Sequence, residues 1–186
     1  MRILLHICCG VCAAGVAEKL TGEGHDVVGF FFNPNIHPSA EYERRLDVAE
    51  QVSRKMGFPL VVGEYRPRDW LQQTLELRHE PEGGRRCEVC FRMRLVETFR
   101  QLPRQGADAF TTTLTVSPHK SAALVNRVGR EISTPMFLER DFKKKEGFKR
   151  SIELAKQWGL YRQDYCGCIY SLREGRSANE HTAPAV

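Results

Sequence analysis

RILLHICCGVCAAGVAEKL at Arg2–Leu20, followed by DVVGFFF at Asp26–Phe32, decides the fold of this chain. Four of the six residues from Arg2 to Ile7 are apolar, which reads as a buried strand. Val11 to Leu20 then reads as a helix that stops at Gly22 and Gly24. Asp26–Phe32 is a continuous apolar run of the kind found in parallel sheets covered on both faces. Asn33-Pro34-Asn35 ends it, and Ser39 opens a long helix with Tyr42, Leu46, Ala49, Val52 and Met56 along one stripe. The pattern continues with a strand over Pro59–Tyr65 and a helix over Pro67–Arg78. A Gly- and Arg-rich loop, Glu80–Arg86, precedes a helix from Glu88 to Arg104 that buries Phe91, Leu95, Phe99 and Leu102. Asp108–Thr115 reads as the fourth strand, Ser117–Val128 as a helix capped by Ser117, and Phe142–Trp158 as the last clear helix. Strands alternating with helices predict α/β architecture: one domain over residues 1–175, its mostly parallel sheet flanked by helices. The small, polar stretch from 176 to 186 is expected to be disordered.

The 186 residues suit one domain, and 41% hydrophobic content is enough for a core without staples. Charged residues at 27% exclude a disordered polyelectrolyte and a membrane protein. Lys and Arg exceed Asp and Glu by 28 to 23, a formal charge of +5 compatible with a polyanionic partner. Ile3–Val16 is not a signal peptide: Arg2 is its only early positive charge, and His6 and three cysteines interrupt it. No apolar run approaches the roughly 18 residues of a membrane span. The expected compartment is the cytoplasm, where thiols stay reduced.

Seven cysteines carry the chemistry, in three groups: Cys8, Cys9 and Cys12; Cys87 and Cys90; Cys166 and Cys168. The first group follows a strand at the start of a helix, where ligands of open α/β sheets bind and where thiol pKa values fall. Cys87-Glu88-Val89-Cys90 brings two thiolates to one ion or cluster, and Cys166-Gly167-Cys168 is tighter still. A four-cysteine zinc site from Cys87, Cys90, Cys166 and Cys168 is one reading, but it leaves the adjacent pair after the first strand without a role. An iron–sulfur cluster with four thiolates leaves thiols for a second role. Cys166 and Cys168 then either ligate a further metal ion or form a redox-active disulfide, and the residues alone do not separate the two.

Five segments in order resemble the cobalamin-independent epoxyqueuosine reductases. They are LLHICCGVCA (Leu4–Ala13), EGGRRCEVCFRMRL (Glu82–Leu95), FTTTLTVSPHK (Phe110–Lys120), DFKKKEG (Asp141–Gly147) and LYRQDYCGCIYS (Leu160–Ser171). The resemblance implies a fold similar to the ATP-pyrophosphatase, or HUP-like, tRNA-modifying enzymes. It implies a 4Fe–4S cluster on Cys8, Cys9, Cys87 and Cys90, and no cobalamin. It also implies a redox-active disulfide or a second, mononuclear iron site at Cys166 and Cys168. Many members carry a proline before the Cys12 position where this chain has Gly10-Val11, and some lack that cysteine, which leaves Cys12 an uncertain metal ligand. The implied reaction is the two-electron reductive deoxygenation of epoxyqueuosine to queuosine at the tRNA wobble position, the last step of queuosine biosynthesis, with electrons from an unidentified donor.

Proton-donor candidates are Asp164, Tyr165 and His6, each near a cysteine group in sequence. Candidate tRNA contacts are Arg85 and Arg86, with Arg92 and Arg94 beside them, and the run Lys143, Lys144, Lys145, Lys149 and Arg150. Tyr161 and Arg162 are placed to meet an extruded base, and Ser117, His119 and Lys120 to open a helix as a phosphate site. An ATP-dependent tRNA thiolase would need a Ser-Gly-Gly-x-Asp-Ser phosphate loop after the first strand, where this chain has Cys8-Cys9-Gly10-Val11-Cys12. The remaining rival is a zinc-stabilised RNA-binding module without catalysis.

Overall fold

Strand β1 (Arg2–His6) lies inside the sheet, with Ile3, Leu4 and Leu5 completely buried. The chain is described by a computed structural model covering residues 1–144 and 146–173. Lys145 and the tail from 176 to 186 fall outside the described residues. Strands β2 (Asp26–Phe31), β3 (Leu60–Val62) and β4 (Ala109–Thr112) complete a four-stranded sheet in the order β3-β2-β1-β4, and every pairing is parallel. Met136 to Leu138 extends it by one bridge, pairing Phe137 with Phe110.

Alternation along the strands divides the core. Ile3, Leu5, Ile7, Val27 and Phe31 face helices α1 (Gly10–Gly22), α2 (Ser39–Met56) and α6 (Gly147–Gln157). Leu4, Val28, Phe30, Phe32 and Phe110 face α4 (Arg85–Gln105) and α5 (Ala122–Ile132). Short helix α3 (Pro67–Thr74) leans on α4, and α7 (Ile169–Arg173) follows the last cysteine pair. A third apolar cluster joins Trp70, Cys90, Cys168 and Tyr170. No described helix is long and apolar enough to cross a membrane.

Several boundaries differ from the sequence reading. Strand β4 stops at Thr112 because its hydroxyl accepts from the Leu114 N–H at 3.1 Å, turning Thr113–Val116 into a 3-10 helix. Ser117 is therefore not a helix cap: it accepts from His119 N–H in a loop, and Ser121 caps α5 by accepting from Leu124 N–H at 3.2 Å. Ser117, His119 and Lys120 thus lie on a loop before α5 rather than at its N-terminus. The third strand shrinks to Leu60–Val62, half-exposed at the sheet edge.

Gly10, the first residue of α1, permits a close approach of α1 to α2. A Cβ there would lie 2.5 Å from the Val48 carbonyl oxygen of α2. Gly10→Ala is expected to destabilise the protein by about 1–3 kcal/mol, the usual cost of overpacking, as measured by urea denaturation.

Candidate metal centre

The strand order reverses between β1 and β4, and the crevice beyond their carboxyl ends is where open α/β sheets place ligands. Cys8 and Cys9 leave β1 there, and Cys9 is the residue that precedes α1, in an extended conformation with no side-chain cap. Cys12 stands one turn on. The three sulfurs lie within 4.8 Å of one another, and Cys8 Sγ is 4.0 Å from Cys9 Sγ. Thr113, just past β4, ties the two strand ends together: its hydroxyl oxygen accepts from Cys8 N–H at 3.0 Å and donates to Cys8 Sγ at 3.2 Å.

Cys87 lies in the first turn of α4, where Gly83 N–H donates to its sulfur at 3.2 Å. Cys87, Cys90, Cys166 and Cys168 line a small cavity of about 30 Å³, with Lys120 and Arg94 on its wall. A larger cavity of about 310 Å³ adjoins it, lined by Cys8, Cys12, Lys120, Arg94, Cys166, Arg162, Asp164 and Tyr165 among others. Lys120, Arg94 and Cys166 belong to both walls. The thiols thus sort three and four, with the cations between. All seven are free thiols, so the disulfide expected as one alternative for Cys166 and Cys168 is not formed in this structure.

Each group holds one easily ionised sulfur. Hydrogen bonds from Cys12 and Cys9, assisted by the Lys120 charge, hold the Cys8 thiol well below the ordinary range. A hydrogen bond from Cys168, then the charges of Lys120, Arg94 and Arg45, do the same for Cys166. Their neighbours move the other way. Cys9 accepts some relief from Cys12, yet its bond to Cys8 and its burial push it up to about 12. Burial raises Cys87 and Cys90. Lys120 is held protonated chiefly by Cys166, against the burial that opposes its charge.

These residues fit an anionic, thiolate-bound metal group. Arg94 is buried at 2% exposure, its Nε donates to the Cys90 carbonyl at 3.2 Å, and its Nη2 has no partner among the described residues. A buried guanidinium is costly unless an anion faces it, and metal-bound thiolates supply that charge. Among the described residues, Cys8, Cys9 and Cys12 are the thiols close enough together to hold such a group, and Cys87, Cys90, Cys166 and Cys168 line the neighbouring cavity.

Two expected site residues are corrected. His6 is completely buried, its ring nitrogens engaged by Thr112 Oγ1 at 2.9 Å and the Phe32 carbonyl at 3.2 Å. Burial, then the Arg94 charge, drives its pKa down to about 4, so it is a neutral strut rather than a proton donor. Arg86 is 1% exposed: its Nη1 donates to the carbonyls of Leu77, Arg78 and Glu80, and its guanidinium lies over the Tyr170 ring. It closes the loop before α4 and meets no phosphate.

The other candidates are placed as follows. Asp164 and Arg162 line the larger cavity, while Tyr165 lines it but donates its hydroxyl to the His37 carbonyl at 2.8 Å. Arg85 and Lys144 are exposed. Lys143 Nζ donates to the Lys120 carbonyl at 2.8 Å, tying down the loop that carries Lys120. Arg92, Lys149 and Arg150 are paired with acids, which neutralises much of the basic character read from the sequence. Tyr161 donates to Glu41 at 2.8 Å. Sequence reasoning missed the buried pair Glu41–Arg45, although two charges at i and i+4 on the stripe of Tyr42, Ala49 and Val52 were a readable signal.

A parallel sheet with three thiols just after its first strand defines an open α/β protein with a thiol-lined crevice at the carboxyl edge of the sheet. In keeping with that class, the fold matches U34-tRNA thiolase NcsA from Methanococcus maripaludis, solved with its 4Fe–4S cluster, at a TM-score of 0.57 and 14% identity, over 92% of this chain and 61% of that one. The sequence model of epoxyqueuosine reductase QueH matches residues 3–174. The chain is 39% identical over 180 residues to epoxyqueuosine reductase QueH of Streptococcus pyogenes, covering 92% of this chain and 70% of that protein. It is 33% identical over 182 residues to the Thermotoga maritima protein of the same name, covering 94% and 92%. The chain belongs to the epoxyqueuosine reductase QueH family and is an oxidoreductase of that activity.

Proposed function

We propose that this protein reduces epoxyqueuosine to queuosine in tRNA, in the cytoplasm, with a 4Fe–4S cluster held by Cys8, Cys9, Cys87 and Cys90. The observation that carries this reading is the close cluster of the Cys8, Cys9 and Cys12 sulfurs, beside a four-thiol cavity that shares Lys120, Arg94 and Cys166 with a cavity of about 310 Å³. Such a cavity is large enough for a modified nucleobase side chain. A NcsA-like fold and family membership support the choice of an iron–sulfur group over zinc.

The reaction removes the epoxide oxygen as water, consuming two electrons and two protons and leaving an alkene. The cluster, when bound, supplies one-electron transfer beside the substrate. Cys166 and Cys168 form a second thiol centre, either as a reducible pair or as ligands of a mononuclear iron. Lys120 stands on the wall shared by both cavities, its ammonium held charged by Cys166 and Cys8 against burial, and we assign it as the donor to the departing oxygen. Arg94 faces the thiolates and offsets their charge. Asp164 and Arg162 stand at the cavity wall, with Arg162 exposed for the RNA backbone.

Anaerobically purified protein supplied with dithionite is expected to bind iron and sulfide and to convert epoxyqueuosine in a tRNA anticodon stem-loop. A colourless zinc protein that converts none would overturn the reading. Arg162→Gln is expected to weaken stem-loop binding and to lower the slope of log affinity against log salt by about 1, measured by fluorescence anisotropy. An unchanged slope would remove Arg162 from the RNA interface.

A further inference from the structure

Three consecutive carbonyls of the last cysteine loop, those of Tyr165, Cys166 and Gly167, are each taken by a donor from one segment of the chain. Arg45 Nη2 donates to Tyr165 O and Nη1 to Cys166 O, both at 3.1 Å. His37 N–H donates to Gly167 O at 2.7 Å. The guanidinium also lies over the Tyr165 ring, 5.0 Å from its centre. Arg45 is buried and its Nε donates to Glu41 Oε1 at 2.6 Å, while the other oxygen of that carboxylate accepts from Tyr161. Gly167 has φ near +100°, and a Cβ there would lie 2.8 Å from Arg45 Nη1.

A buried ion pair is a poor source of stability, because desolvation offsets most of its attraction. It is a good source of geometry: a planar fork fixed by a carboxylate presents donors in one orientation only. With its carbonyls turned towards α2, the loop presents the Cys166 sulfur to the cavity wall shared with Lys120. We propose that Arg45, oriented by Glu41, is a positioning residue that sets the Cys166–Cys168 loop against the reaction site. This inference rests on the reading that Cys166 takes part in the reaction.

The test uses Arg45→Lys, which keeps the charge for Glu41 but cannot serve the carboxylate and both carbonyls together. It is expected to lower kcat by about 100-fold, the cost of a displacement near 1 Å, with KM within about twofold of wild type. Amide hydrogen exchange over 165–169 should accelerate at least about tenfold, while the central amides of α2 remain unchanged. Gly167→Ala, which leaves the ion pair intact and crowds it from the loop side, should reproduce the same split and guards against a misfolded Arg45 variant. Wild-type kcat in folded Arg45→Lys or Gly167→Ala overturns the proposal. Cys166→Ser separates the two levels. If it retains full turnover, the role of Cys166 fails and the positioning role with it; if it is inactive while Arg45→Lys is normal, only the positioning role fails.

Discussion

Cys87→Ala is expected to lose the visible iron–sulfur absorption and to convert epoxyqueuosine on the order of 10³-fold more slowly than wild type, or not at all, as befits a residue that acts only as part of a unit. Cys87 enters the first turn of α4, where the helix N-terminus and the Gly83 N–H favour a thiolate even though burial opposes it. Alanine is the best helix former and the position is only half-buried, so the fold should survive the substitution. Circular dichroism confirms that separation, and iron and sulfide analysis reads the loss of the centre. Retention of both colour and turnover would take Cys87 out of the ligand set and, with it, the four-thiolate assignment.

Lys120→Met is expected to lower kcat by about 10²–10⁴-fold, the range for loss of a general acid, while the iron content and visible spectrum stay those of wild type. The lysine is, among the described residues, the one ammonium on the wall common to both cavities, and its charge answers the thiolates of Cys166 and Cys8. Two roles are compatible with that position: delivering a proton or merely offsetting negative charge. Lys120→Arg distinguishes them, because a guanidinium keeps the charge but does not give up its proton. Single-turnover kinetics should show Arg as poor as Met. Recovery to within about tenfold of wild type would reduce Lys120 to an electrostatic role.

Much of the fold was legible because the decisive segments were unambiguous. Ile3–Leu5 and Val27–Phe31 are apolar without alternation, which only a strand covered on both faces requires, and both are found between two helical layers. Two of the boundaries that moved share a cause: a side-chain oxygen competed with the backbone ladder. Thr112 turned β4 into a 3-10 segment, and Ser121 rather than Ser117 captured the start of α5. The thiols were legible as chemistry through their spacing, and the place of Cys8, Cys9 and Cys12 followed from the carboxyl-edge rule. Arg86 and His6 misled because charge and proximity in sequence say nothing about which way a side chain faces; one closes a loop and the other bridges two strands.

The sequence by itself determined a parallel α/β domain, three cysteine groups at strand–helix junctions and turns, and membership in a family, because each depends on local periodicity or on residues in order. Only the tertiary structure decided how the thiols are partitioned, three after β1 and four around the small cavity, with Lys120 and Arg94 between them. It alone revealed the Glu41–Arg45 pair that holds the last cysteine loop across more than a hundred residues of chain. The physical reason is common to both: pairwise electrostatics and hydrogen bonding depend on distance in space and burial, and neither is written in sequence separation.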